Sequence, residues 1–162
     1  MRRTREVLRQ SSMTIAIKVL QCGDDHLLRN VTAGLFDNPI DPALTAEFLG
    51  DPRHHLAVAI VDHRVVGFAS GVHYIHPDKP PQLWINEVAV SDAYRRRGLA
   101  KSLLGALLDV GREHRCTVAW VLTDQTNAAA MALYASVGGT QGADDQSPDA
   151  PTLGCSFDLS KK

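Results

Sequence analysis

The residues with the most chemical meaning lie in one run, Glu87-Val88-Ala89-Val90-Ser91-Asp92-Ala93-Tyr94-Arg95-Arg96-Arg97-Gly98-Leu99-Ala100-Lys101. An apolar strand pattern gives way to a turn, then to a helical pattern opening Arg-Arg-Arg-Gly-Leu-Ala. A helix start leaves backbone N–H groups without partners and carries the positive end of the helix dipole. Gly98 and Ala100 present little or no side chain there, so an anion such as a phosphate can approach those N–H groups closely. Three arginines at that end oppose the dipole by roughly 0.3–1 kcal/mol each, which makes sense when an anion is bound. The alternative is a solvated amphipathic helix. GxxxxGK[ST] and GxGxxG are both absent, which excludes a Walker A loop and a dinucleotide fingerprint. Glu87 stands inside the apolar strand, where a carboxylate is costly to bury unless it is paired or functional. Otherwise it lies on a solvated strand face.

The elements that position this run follow from periodicity and turn chemistry. Thr14–Leu20 alternates and is β-branched, so it reads as a strand. Gly23-Asp24-Asp25 predicts the cap of a helix running to about Leu35, and Asp41-Pro42 opens a short helix to Leu49. His55–Val61 and Val65–Ile75 form a hairpin around Asp62-His63-Arg64. Residues 76–81 read as a loop, Leu83–Val90 as a strand, and Arg97 to about Arg115 as the longest helix, with Leu99, Leu103, Leu107 and Val110 on one face. Thr117–Leu122 is a strand, Asn127–Val137 a helix stopped by Gly138-Gly139, and Thr152–Leu159 a last strand, with a further short one near Thr140. The 162 residues fit one α/β domain with an antiparallel front and a strand–helix–strand unit behind it. Residues 1–12 are expected to be a disordered leader and residues 13–160 the domain.

Arg95-Arg96-Arg97-Gly98-Leu99-Ala100 resembles the Q/R-x-x-G-x-G/A motif of the GNAT superfamily of N-acetyltransferases, and the order of elements from Thr14 to Leu159 resembles the whole domain of that family. The resemblance implies a mixed, mostly antiparallel sheet flanked by helices, with a splayed central strand holding acetyl-CoA. It implies that Arg95, Arg96, Arg97, Gly98, Leu99, Ala100 and Lys101 hold the cofactor's pyrophosphate. Val88, Ala89 and Val90 would pair with its pantetheine arm, and Asn127 would contact that arm. It further implies Tyr134 as the acid that protonates the departing thiolate. A tyrosine pKa near 10 suits that role; the plainer alternative is a packed core tyrosine. An amine is protonated at pH 7 and must lose that proton to attack a thioester, so Glu87 is the candidate general base. The family is frequently dimeric, so a homodimer is expected. An acyl-CoA-binding sensor without turnover is the alternative from a different functional class.

The formal net charge of -1 argues against a nucleic-acid partner. It is nevertheless a cancellation: residues 1–12 carry +3, leaving -4 for residues 13–162. Residues 19–52 hold six carboxylates against Arg29 alone, and residues 116–160 hold Asp124, Asp144, Asp145, Asp149 and Asp158 with no base. An acidic acceptor mouth would draw a cationic amine, with Asp124, Asp144, Asp145 and Asp149 as substrate contacts. The same carboxylates could equally be solvated loop residues. The run from Tyr74 to Val90, Asn127–Tyr134 and Phe157-Asp158-Leu159 are similar to segments of aminoglycoside 3-N-acetyltransferases, with Glu87 in place of the usual Asp and Asn86 where an aromatic is common. That similarity implies acetylation of an aminoglycoside at the 3-amino group, conferring resistance, with another small amine or a protein amine as alternative. No run is long and apolar enough to span a bilayer, and Cys22, Cys116 and Cys155 form no CxxC pair, so a cytoplasmic chain with reduced thiols and no metal is expected. His73 and His76 lie three apart on a strand and should not converge, and the histidines read as surface or structural.

Overall fold

The computed structural model describes residues 14–141 and 152–160. Seven strands form one sheet: β1 (Ile15–Val19), β2 (His54–Val61), β3 (Arg64–His76), β4 (Lys79–Val90), β5 (Val118–Asp124), β6 (Thr140–Gln141) and β7 (Thr152–Asp158). Their order is β1-β2-β3-β4-β5-β7-β6, and β4–β5 is the one parallel pair among these strands. Three α-helices, α1 (Pro42–Gly50), α2 (Leu99–Glu113) and α3 (Ala128–Ser136), join it, so the architecture is the mixed α/β domain expected.

The helix α2 lies across one face of the sheet. Leu103, Leu104 and Leu107 are fully buried against Ala57, Ala59, Ala69, Leu83 and Ile85. Burial of such a leucine contributes roughly 1.5–3 kcal/mol. The small residues of β2 and β3 make room for it. A Cβ on Gly71 would stand 3.2 Å from Leu107 and 2.7 Å from the Trp84 carbonyl oxygen, so only glycine fits under the helix there. The opposite face is covered by the segment between β1 and β2, where Phe36 stacks on Phe68 with ring centroids 4.1 Å apart.

Three boundaries differ from the sequence-based expectation, each for a physical reason. The first helix is only a short 3-10 turn, Asp24–Arg29. Beyond it the backbone pairs with β3 instead: Val65 N–H donates to the Asn30 carbonyl and Thr32 N–H to the Val65 carbonyl. The loop expected over residues 76–81 is reduced to a turn at Pro77-Asp78 between β3 and β4. His76 pairs with Lys79, and Pro80 and Pro81 sit at the outer end of β4, before its pairing with β5 begins at Gln82. A missing N–H is tolerated at such a position. Finally, α2 begins at Leu99 rather than Arg97, because Arg96 (φ 59°) and Gly98 (φ 78°) are left-handed and cannot belong to the helix.

A β-bulge lies in β4. Ser70 pairs with Glu87 but its neighbour Gly71 pairs with Ile85, so Asn86 is an extra residue. Without it Glu87 would alternate with Leu83 and Ile85 onto the α2 face. With it, Val88 packs on the α2 side and Glu87 emerges on the other.

Candidate active site

The sheet opens where β4 and β5 part. Their pairing runs from Gln82↔Val118 to Ile85↔Val121 and stops. Beyond that point β4 stays with β3 through Val90, while Leu122–Asp124 of β5 stays with β7. The edge of β4 is left facing a cleft of about 570 Å³, whose walls include Val88, Ala89, Val90, Arg95, Arg96, Ala100, Asn127 and Tyr134. Eight of the residues singled out in the sequence thus meet in one cavity. An exposed strand edge offers N–H and C=O groups to an extended chain laid along it.

At one end of the cleft stands the start of α2. Gly98 is its N-cap and no side chain caps the helix, so its first amides and the positive dipole end are available to an anion. Arg96 lines the cleft. Arg95 lines it too, anchored by Nε donating to the Val90 carbonyl at 3.2 Å and by an ion pair with Asp92 at 2.9 Å. Arg97 turns aside, its guanidinium 5.4 Å from the Tyr94 ring centroid. The Leu99 side chain is buried in the core and can contribute only its backbone, and Lys101 is exposed on the first turn, outside the residues lining the cleft.

At the other end is α3. Asn127 is its N-cap, its side-chain oxygen accepting from Ala130 N–H at 3.0 Å, which orients the amide at the cleft wall. Tyr134 is buried, with its ring edge-on to Phe157. Burial, and secondarily Cys155, raises its phenol above the ordinary value and keeps it protonated. Asp124 does not enter the cleft. Its carboxylate accepts from Thr126 N–H and Oγ1, both at 2.7 Å, and shapes the turn before α3. Asp144, Asp145 and Asp149, like residues 1–12, lie outside the described residues.

Glu87 opens into a second, largely apolar cavity of about 310 Å³ on the other face of the sheet, with Phe36, Ile40, Asp41, Phe48, Phe68 and Ser70 around it. Partial burial, then the charge of Asp37, raises the Glu87 carboxyl above its ordinary value. Residues 87–90 of β4 therefore connect this cavity to the cleft: Glu87 lies in one, and Val88, Ala89 and Val90 in the other.

Several carboxylates of residues 19–52 are engaged within the fold. Asp24 pairs with Lys18 at 2.7 Å, Asp51 with Arg53 at 2.7 Å and Asp25 with Arg29 at 3.3 Å, while Asp41 caps α1 through Ala43 and Leu44 N–H. Lys18 and Arg53 lie just outside the window of residues 19–52, so the charge count missed them. Sequence inspection also missed a cluster of His55, His73 and His114, whose members are 18 and 41 positions apart. No periodic signal joins residues at such separations.

Residues 26–138 match the model of the acetyltransferase (GNAT) family. The chain is 32% identical over 126 residues to the N-alpha-acetyltransferase RimI of Mycobacterium tuberculosis, a match covering 76% of this chain and 77% of that protein. It is 37% identical over 86 residues to the L-2,4-diaminobutyric acid acetyltransferase of Nocardia farcinica, covering 53% of this chain but only 44% of that enzyme's length. Among solved structures, the aminoglycoside N-acetyltransferase AAC(6')-Iy in complex with CoA superposes with a TM-score of 0.66 at 21% identity, over 81% of this chain and 91% of that one. The likeness at that identity is one of fold. Family model, a relative matched over about three quarters of both chains, and fold agree, and the chain belongs to the acetyltransferase (GNAT) family.

Proposed function

We propose that the protein is an acetyl-CoA-dependent N-acetyltransferase of a small cationic amine, with Glu87 as base and Tyr134 as acid. The observation that carries this is the bulge at Asn86, which puts Glu87 into the apolar cavity while the next three residues border the cleft. The chain's own groups suit acetyl-CoA: uncapped amides at Gly98–Lys101 and the Arg95 and Arg96 cations for the pyrophosphate, and an open strand edge for the pantetheine arm. When bound, acetyl-CoA supplies the acetyl thioester. Glu87 then takes a proton from the acceptor ammonium, freeing the nitrogen lone pair to form the C–N bond. Tyr134 gives its proton to the sulfur as the C–S bond breaks, and regains one by way of water from the acetylated nitrogen. The balance is one proton released to solvent for each amine acetylated.

The cavity's size and apolar walls support a compact acceptor with one ammonium near Glu87, such as a diamino acid or a peptide N-terminus. Those are the acceptor chemistries that the names of the two curated relatives carry. A second proposal, acetylation of an aminoglycoside at its 3-amino group, rests on the sequence similarity of residues 74–90 and on the negative charge of Asp37, which acts on Glu87. Thiol release from acetyl-CoA, measured with 2,4-diaminobutyrate, a short peptide and a gentamicin-type drug, separates them. The compact-acceptor proposal expects the highest kcat/KM with one of the first two. A drug preferred over both moves the assignment to the aminoglycoside. No turnover with any amine, together with tight cofactor binding, would favour a sensor.

A further inference from the structure

Three imidazoles meet at the end of the sheet far from the cofactor cleft. His55 of β2 is 7% exposed and shares the α2-facing side of the strand with Ala57 and Ala59, a position where an apolar residue is the default. His73 of β3 lies on the same side, with Nδ1 at 2.8 Å from the Nε2 of His55. His114, the C-cap of α2, stacks on His73 with ring centroids 4.2 Å apart and stands 5.0 Å from His55. One nitrogen from each ring lies within 4.8 Å of the other two.

We propose that His55, His73 and His114 bind one divalent transition-metal ion, of the kind that prefers imidazole ligands, for which zinc is the probe. Three histidines plus one open position is a standard zinc ligand set. Ligands at ~2.0–2.1 Å around a tetrahedral ion sit about 3.3 Å apart, so the nitrogens of His55 and His73 need to part by only about half an ångström from their hydrogen-bonded distance. That hydrogen bond already requires one ring nitrogen to present a lone pair, and its partner frees a second by moving its proton to its other nitrogen. The negative end of the α2 dipole, at His114, favours a cation. The rings of His55 and His73 are held face to face, with centroids 5.1 Å apart. Asp51 acts electrostatically on both rings, but its carboxylate is held by Arg53 and joins no ligand set among the described residues. The fifteen-residue helix puts this cluster roughly 22 Å from Gly98, so the ion would clip β2, β3 and α2 together and take no part in transfer.

The test uses untagged full-length protein carrying Cys22→Ser, which removes the exposed thiol, stripped with a chelator and titrated with zinc alone by calorimetry. The expected result is one zinc per chain, with a rise in Tm on zinc addition. His114→Ala, at a helix end, and His73→Asn should each weaken zinc binding by at least about tenfold and remove the rise in Tm. Both should keep the far-UV circular dichroism of the parent and its zinc-free basal activity. A parent chain that takes up no zinc overturns the proposal. So does zinc bound equally by the parent and both variants, because the ion then sits elsewhere.

Discussion

Three glycines, one capping α2 and two within it, should give three different results when replaced by alanine. Gly98 caps α2 at φ 78°, and a Cβ there would meet nothing within 4 Å. Its cost is therefore purely the left-handed backbone, about 1–2 kcal/mol. For a chain of this size that corresponds to a fall in Tm of roughly 2–4 °C per kcal/mol. Gly105 lies mid-helix in equally open space, so alanine should stabilise by about 0.5–1 kcal/mol. At Gly111 the added Cβ would come 2.9 Å from Leu159 and 3.1 Å from Leu83, an overpacking cost of roughly 1–3 kcal/mol. The assay is thermal or urea unfolding of the three variants, followed by coenzyme A titration of each. Gly98→Ala should also weaken coenzyme A binding, since the strained residue shapes the amides that would meet the pyrophosphate, whereas Gly105→Ala should leave it unchanged. A Gly98→Ala variant as stable as the parent, or a destabilising Gly105→Ala, would refute the conformational assignment. Undiminished coenzyme A affinity in Gly98→Ala would refute the anion site.

Further outcomes follow from the site geometry. Asn127→Ala removes the α3 cap and should cost about 0.5–2 kcal/mol, together with some coenzyme A affinity, by unfolding and binding measurements. Tyr134→Phe keeps the ring that packs edge-on to Phe157, so stability should hold while kcat falls; an unchanged kcat would mean that water supplies the proton. Glu87 must be ionised to act as base, and its carboxyl is raised above the ordinary 4.5. The acidic limb of kcat/KM should therefore fall as pH drops through a value above 4.5, a limb absent from Glu87→Gln.

How much of this was legible in the sequence depended on the range of the signal. The run from Glu87 to Lys101 announced itself because strand, turn, arginines and glycine are contiguous, and the leucines of α2 repeat at helical spacing. The bulge at Asn86 was not visible, since apolar residues on both sides of it fit either face of a buried strand. The helix expected up to Leu35 lost to the pairing of residues 30–32 with Val65, a tertiary contact that propensity cannot contain. Part of the negative charge counted over residues 19–52 is offset by Lys18 and Arg53, which lie just outside that window and pair with Asp24 and Asp51. The histidine cluster needs two strands and a helix end to be assembled before it exists.

The most direct measurement sets Glu87→Gln beside the parent in two experiments on the same preparations, acetyl transfer to the preferred amine and equilibrium binding of coenzyme A. With Glu87 as the acceptor-side base, kcat/KM should fall by roughly 10²–10⁴, because a positioned base contributes that much. Coenzyme A affinity should stay unchanged, because Glu87 lies outside the cleft lined by Arg95, Arg96 and Asn127. Unaltered turnover, or a loss of coenzyme A affinity that accounts for the lost turnover, would contradict the assignment of base and cofactor to opposite sides of β4.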